Sequence, residues 1–75
     1  MRFKYDLPYD IYANAVRAYF DRTRARIAEQ HEIFEEYAEY GWRYESPSKV
    51  EQIIKSTFPS KKHATMFILR FAHNG

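Results

Sequence analysis

The stretch YDIYANAVRAYFDRTRARIAEQHEIFEEYAEY, residues 9–40, decides how this 75-residue chain can fold. It contains neither Gly nor Pro, and its apolar residues recur at gaps of three, four and seven, the spacing that predicts an amphipathic helix. The predicted apolar stripe comprises Ala13, Val16, Phe20, Ile27, Phe34 and Tyr37. One continuous helix over 9–40 is favoured. If the helix bends, the polar run around Thr23 places the bend near 21–24.

The length of this helix has a consequence for the whole domain. At 1.5 Å per residue a continuous helix would be about 48 Å long, whereas a compact domain of this size is only about 30 Å across. We therefore expect the helix either to bend or to pack half of its length on a partner.

The flanking sequence predicts a small sheet and one more helix. Residues 2–7 alternate apolar and polar side chains, as a half-buried strand does. Gly41 suits a helix C-cap, and residues 42–45 suit a short strand. Residues 49–58 fit either a helix or a strand, and the strand is favoured because the first strand needs partners. Ser60 then suits the N-cap of a helix over 61–73.

These elements predict a single α+β domain over residues 1–75, in the order β-α-β-β-α. The alternative is a mostly α-helical domain in which residues 49–57 are helical. The run FPSKKHATMFILRF, residues 58–71, resembles the C-terminal ending of small uncharacterised phage proteins. In those proteins a strand residue, a turn and a helix of the form Ala-x-x-Phe-x-Leu-Arg-aromatic follow one another. The resemblance implies a strand before the last helix and brings no functional residues with it.

The composition bounds the class of protein. Hydrophobic residues make up 45% of the chain and charged residues 29%, which is typical of a globular domain. The sequence has no Cys, which excludes disulfides and thiolate chemistry. No apolar run reaches the roughly 18 residues of a membrane span, and the N-terminus lacks the apolar core of a signal peptide. We expect a cytoplasmic protein that does not associate with membranes.

No arrangement of residues predicts catalysis, a metal site or a cofactor. The hydroxyl residues lie outside any Gly-rich elbow, and two Gly residues cannot build a phosphate-binding loop. His31 and Glu35 are spaced i, i+4, but the second His that a zinc helix requires is missing. We therefore expect a protein that is not an enzyme.

The charges are segregated along the predicted long helix, with arginines in its first half and glutamates in its second. Glutamates at i, i+4 repel each other, and they crowd a helix C-terminus, where cations are preferred. Together with nearby aromatic rings they suggest an acidic, aromatic protein-binding surface. Its residues are Glu29, Glu32, Glu35, Glu36, Glu39, Tyr37, Tyr40, Trp42 and Tyr44.

Two partners fit that surface. The first is a second copy of the chain, in an antiparallel helix pair centred near Ile27 that places arginines beside glutamates. The second is a host enzyme or nucleoprotein, which a phage-type inhibitor would bind with negative charge and aromatic anchors.

The alternative function is DNA or RNA binding. Clustered Arg and Lys side chains make phosphate contacts, although no helix-turn-helix, finger or RNA-binding strand motif is present. The candidate residues are Arg17, Arg22, Arg24, Arg26, Lys61 and Lys62.

Overall fold

The computed structural model describes residues 2–45 and 52–72, which form an α+β domain and confirm the predicted fold class. The elements in chain order are strand β1 (Phe3–Pro8), helices α1 (Tyr9–Thr23) and α2 (Gln30–Glu36), a short 3₁₀ helix (Ala38–Tyr40), strands β2 (Arg43–Tyr44) and β3 (Ile53–Phe58), and helix α3 (Lys61–Phe71). Among the described residues, no helix has the length and apolarity needed to span a membrane.

The three strands form one antiparallel sheet in the order β1-β3-β2. Phe3 pairs with Phe58 and Leu7 with Ile54, so the N-terminal strand lies beside the last one. The strand predicted within 49–58 is confirmed from residue 53 onward, and the helical alternative is wrong there. Residues 46–51 of the predicted turn and strand lie outside the described residues. The apolar side chains of β1 need this partner, which is why the β-rich sequence of 53–58 becomes a strand.

The single helix predicted over 9–40 is wrong, because α1 ends at Thr23. The Thr23 hydroxyl donates to the Tyr19 carbonyl oxygen at 2.8 Å and accepts from the Ala25 N–H at 3.3 Å. Side-chain hydrogen bonds of this kind compete with the helical ladder. Arg24 then adopts a left-handed conformation with φ 56° and caps α1 through its N–H on Phe20.

After residues 24–29 the chain folds back, and α2 lies beside α1. Arg22 pairs with Glu36 at 2.5 Å, and the Tyr37 hydroxyl donates to the Ala15 carbonyl oxygen at 2.6 Å. The described residues measure 33 × 29 × 25 Å, so no rod extends beyond the domain. The antiparallel helix pair predicted around Ile27 requires a continuous helix, and the fold does not contain one there.

The buried face of α1 differs from the predicted stripe. Ile11, Ala15 and Tyr19 are buried, while Val16 and Phe20 are only half-buried. Helix α1 packs on the sheet, on α2 and on α3. Its buried face is therefore wider than the single apolar stripe by which an amphipathic helix packs on one partner element. Ile27, predicted on the stripe, lies in the loop and is 83% exposed.

The core of the domain is aromatic. The Trp42 ring lies 4.6 Å from that of Phe67 and 5.9 Å from that of Tyr37, measured between centroids. The indole N–H of Trp42 donates to the Ser56 hydroxyl, which donates to the Ile54 carbonyl oxygen, each at 3.1 Å. Large rings with satisfied polar atoms give a short chain the burial it needs.

Candidate functional site

Two glutamates of the predicted acidic surface contact side chains of helix α1 in the same chain. Glu36 pairs with Arg22, and the Glu32 carboxylate accepts from the Tyr19 hydroxyl at 3.2 Å. Both contacts join α2 to α1. Once the chain has folded back, Glu32 and Glu36 therefore contact a hydroxyl group and a basic group on the neighbouring helix.

Glu39 also has a partner in the chain. The Arg70 guanidinium of α3 lies 3.4 Å from Glu39 and donates to the Tyr40 hydroxyl at 3.0 Å. The same guanidinium lies over the rings of Tyr40 and Phe71. The hydrogen bond that Arg70 donates to Tyr40 raises the pKa of Arg70 above its ordinary value. This cluster fastens the 3₁₀ helix to α3.

Two further glutamates, Glu29 and Glu35, are exposed and form no ion pair with a described arginine or lysine. Glu29 lies 3.2 Å from His31, and with Glu32 these residues bring three ligand atoms within 4.8 Å of one another. Glu29 and His31 are exposed, and exposed acidic groups commonly lie this close without a metal. Glu35 is exposed and makes no ion pair with a described residue.

The predicted aromatic anchors belong to the core. Tyr37 and Trp42 are each 1% exposed and Tyr40 is 7% exposed, while Tyr44 is half-buried. Burial raises the pKa of Tyr37 to about 12. The prediction of an aromatic interface is wrong for the three buried rings, because the domain uses them to complete its own packing.

The predicted basic residues fall on two parts of the fold. Arg17, Arg24 and Arg26 are exposed on α1 and the following loop and make no ion pair with a described residue, whereas Arg22 is paired with Glu36. Lys61 and Lys62 are exposed in the first turn of α3.

The sheet presents a second charged surface, on the face opposite α1 and α3. The strand register arranges its side chains in two rows. The first row runs Lys4, Thr57, Arg43, and the second runs Asp6, Lys55, Glu45. Side chains directly opposite each other on neighbouring strands lie about 5 Å apart at Cβ. The second row alternates in sign, whereas the first carries two cations and no carboxylate. The first row together with the adjoining Arg2 is called the cationic row below; its members are Arg2, Lys4, Thr57 and Arg43.

Arg2 completes the cationic row. Its Nε donates to the Thr57 hydroxyl at 3.0 Å, and its Nη2 donates to the carbonyl oxygens of Thr57 and Gly41. All of these acceptors are neutral, so the positive charge of Arg2 is held in place without being cancelled. Three cations therefore surround one hydroxyl group on an exposed sheet face.

Phe34 forms one wall beside this row. The Arg43 guanidinium lies over the Phe34 ring at 5.6 Å from its centroid, and Phe34 contacts the Tyr44 ring edge-on. An open groove of about 570 Å³ runs along the sheet beside Phe34. The charged side chains that line it are Lys4, Arg43 and Lys55 together with the carboxylates Asp6 and Glu45. Glu35 and Arg2 line an adjoining depression with Arg43.

The sequence carried part of the signal for this site. The alternation of residues 2–7 placed Arg2 and Lys4 on the polar side of the first strand. The missing part was the register, because Lys4 and Arg43 meet only through Thr57 on β3.

The chain matches no family model, and no curated protein or solved structure is significantly similar to it.

Proposed function

We propose that the protein is a non-enzymatic cytoplasmic module that binds the phosphate backbone of single-stranded nucleic acid on the open face of its sheet. The observation that carries the proposal is the cationic row, in which Arg2, Lys4 and Arg43 surround Thr57 and no carboxylate lies among them. The DNA- or RNA-binding function predicted from the sequence is kept, but its site moves from the helices to the sheet.

The groove beside the cationic row supports single strands in particular. Proteins that bind them without reading sequence combine a basic groove with aromatic side chains on which bases stack. Phe34 is half-exposed at the groove wall, and Arg43 is already oriented against its ring. An Arg guanidinium and a hydroxyl group both suit phosphate oxygens, and Arg2 is preorganised by its hydrogen bonds.

The test is binding of labelled oligothymidylate and oligouridylate by fluorescence anisotropy across a range of salt concentrations. Arg2→Gln combined with Arg43→Gln removes two cations from the row. Lys61→Gln combined with Lys62→Gln removes the same charge from α3 and serves as the matched control.

We expect the sheet variant to bind at least about tenfold more weakly and to lower the salt slope by about 1.4, the value for two lost contacts on a single strand. The α3 control should keep the wild-type slope. Equal losses in both variants would show that only net charge matters, and a loss confined to the α3 variant would place binding on the helices.

A second candidate is the protein-binding function, including the phage-type inhibitor suggested by the sequence, acting through a different surface. Ala25 and Ala28 pack against the core and hold the loop, while Arg24, Arg26 and Ile27 are exposed. An exposed apolar residue that follows two exposed arginines fits a partner that has an acidic rim and an apolar pocket.

The loop can be tested by photo-crosslinking in cell lysate. A crosslinking amino acid at position 27 should capture a discrete partner, whereas the same group at Met66, which is also exposed, should not. Identical crosslinking from both positions would argue against the loop.

A further inference from the structure

The outer edge of β1 pairs with no strand among the described residues. The Tyr9 N–H donates to the main-chain carbonyl oxygen of Gln52, and the Glu45 N–H donates to that of Lys55. In an antiparallel ladder, hydrogen-bonded and non-hydrogen-bonded residue pairs alternate along the strand. The main-chain groups of Phe3, Tyr5 and Leu7 therefore bond to β3, while those of Lys4 and Asp6 point outward. Among the described residues, none bonds to the main chain of Lys4 or Asp6 on that side.

The opposite edge of the sheet is different. Strand β2 has only two residues, and the Gln30 side chain donates to the Tyr44 carbonyl oxygen at 2.7 Å. This contact occupies the outward acceptor of β2. The six-residue β1 is therefore the edge on which another strand can pair.

We propose that a second copy of the chain pairs with β1 in antiparallel orientation, with Tyr5 opposite Tyr5 on a twofold axis, to give a continuous six-stranded sheet. Lys4 of each copy then lies opposite Asp6 of the other. Each Lys4–Asp6 pair exchanges both of its main-chain hydrogen bonds, because these are the residues whose N–H and C=O groups point outward.

The charges on the edge select this register. A twofold centred on Lys4 would place Lys4 opposite Lys4, with Arg2 opposite Asp6 on either side, and one centred on Asp6 would place Asp6 opposite Asp6. Like charges directly opposite each other on neighbouring strands are destabilising, whereas opposite charges are stabilising. Of these three registers, only the twofold at Tyr5 places no like charges opposite each other. Charged side chains on an edge strand usually deter pairing, and here they favour the register centred on Tyr5 over those centred on Lys4 or Asp6.

The side chain at the axis also suits the contact. Tyr5 is half-buried on the helix-covered side of the sheet. At a non-hydrogen-bonded position the two Cα atoms approach to about 4.5 Å, where paired aromatic rings stabilise a sheet. The dimer engages Lys4 and leaves Arg2 and Arg43 available, so it goes beyond the proposed function and does not depend on it.

The test uses charge reversal to switch the choice of partner. Asp6→Lys gives an edge with lysine at both positions, and Lys4→Asp gives an edge with aspartate at both. Neither edge can pair with its own copy, but each is complementary to the other. The masses of the wild type, of each variant and of an equimolar mixture are measured by sedimentation equilibrium at high micromolar concentration and moderate salt.

We expect a wild-type dimer, variants whose self-association is at least about tenfold weaker, and a mixture that restores the dimer as a heterodimer. The double variant Lys4→Asp with Asp6→Lys should also dimerise, because both pairs are again complementary. Trp42 fluorescence confirms that each variant is folded. A wild type that stays monomeric, variants that dimerise like the wild type, or a mixture that stays monomeric overturns the proposal.

Discussion

Replacing Gly41 by alanine should destabilise the domain severely. Gly41 ends the 3₁₀ helix with φ +63°, a conformation that favours glycine. A Cβ atom placed on Gly41 would lie 2.6 Å from Cδ of Pro59 and closer still to its Cγ. The proline ring is rigid and belongs to the turn between β3 and α3, so it cannot move aside without shifting that turn.

The size of the effect follows from two separate costs. A non-glycine residue in the left-handed region costs about 1 kcal/mol, and overpacking of a close contact costs about 1 to 3 kcal/mol. The sum is about 2 to 4 kcal/mol. A 75-residue domain has a free energy of unfolding of about 4 to 11 kcal/mol, so one methyl group would remove a large share of it.

Urea unfolding followed by fluorescence measures this loss directly, because Trp42 is the only tryptophan and is buried. Pro59→Ala is the companion variant. In that background Gly41→Ala should cost only about 1 kcal/mol, since the backbone cost remains and the ring contact is gone. A loss of less than about 0.5 kcal/mol in the wild-type background, or an equal loss in both backgrounds, would refute the reasoning.

Three further predictions concern the helices and the core. The pKa of Tyr37 is about 12 in the folded protein and about 10 in the unfolded chain. The free energy that protonated Tyr37 contributes to stability should therefore be complete below pH 10 and be lost between pH 10 and pH 12. Tyr37→Phe should reduce that fall in urea titrations by about 2 kcal/mol, and an unchanged alkaline profile would contradict the assignment. Arg24→Gly should stabilise the domain by about 1 kcal/mol, because Arg24 holds φ 56° at the end of α1; thermal melts should show a higher midpoint, and a lower one would mean that the arginine side chain contributes contacts. Ser60→Ala should cost about 1 kcal/mol in the same assay, since the Ser60 hydroxyl accepts from the His63 N–H at the start of α3, while Ser60→Asp should retain most of the stability.

The sequence predicted the elements whose signals are local. The alternation of residues 2–7, the left-handed Gly41 and the Ser60 cap each determine a boundary through the chemistry of a few neighbouring residues. The end of α1 has a weaker local signal. Thr23 is a polar interruption in the sequence, but its hydroxyl ends the helix only because folding back also buries Ile33 and the rings that follow. Helix propensity cannot weigh that tertiary gain.

The site was harder to predict than the fold. Tyr37 and Trp42 have the composition of an interface and the burial of a core, and only packing distinguishes the two. The cationic row depends on the pairing of residues about fifty positions apart, which sequence spacing does not encode. Arg22 and Glu36 illustrate the same limit. The sequence shows that their charges are opposite, but it does not show that they pair with each other within one chain.

The pairing of β1 with β3 also sets the order in which the domain can fold. Phe3 pairs with Phe58, so the sheet closes only after residue 58 has been synthesised, whereas α1 and α2 meet across a six-residue loop. Contacts close in sequence form early, and distant strand pairs wait for loop closure. Until then β1, which precedes β3 in the chain, has no strand partner, and Phe3, Tyr5 and Leu7 are exposed. Lys4 and Asp6 interrupt that apolar segment, and such charges act as gatekeepers against aggregation during synthesis.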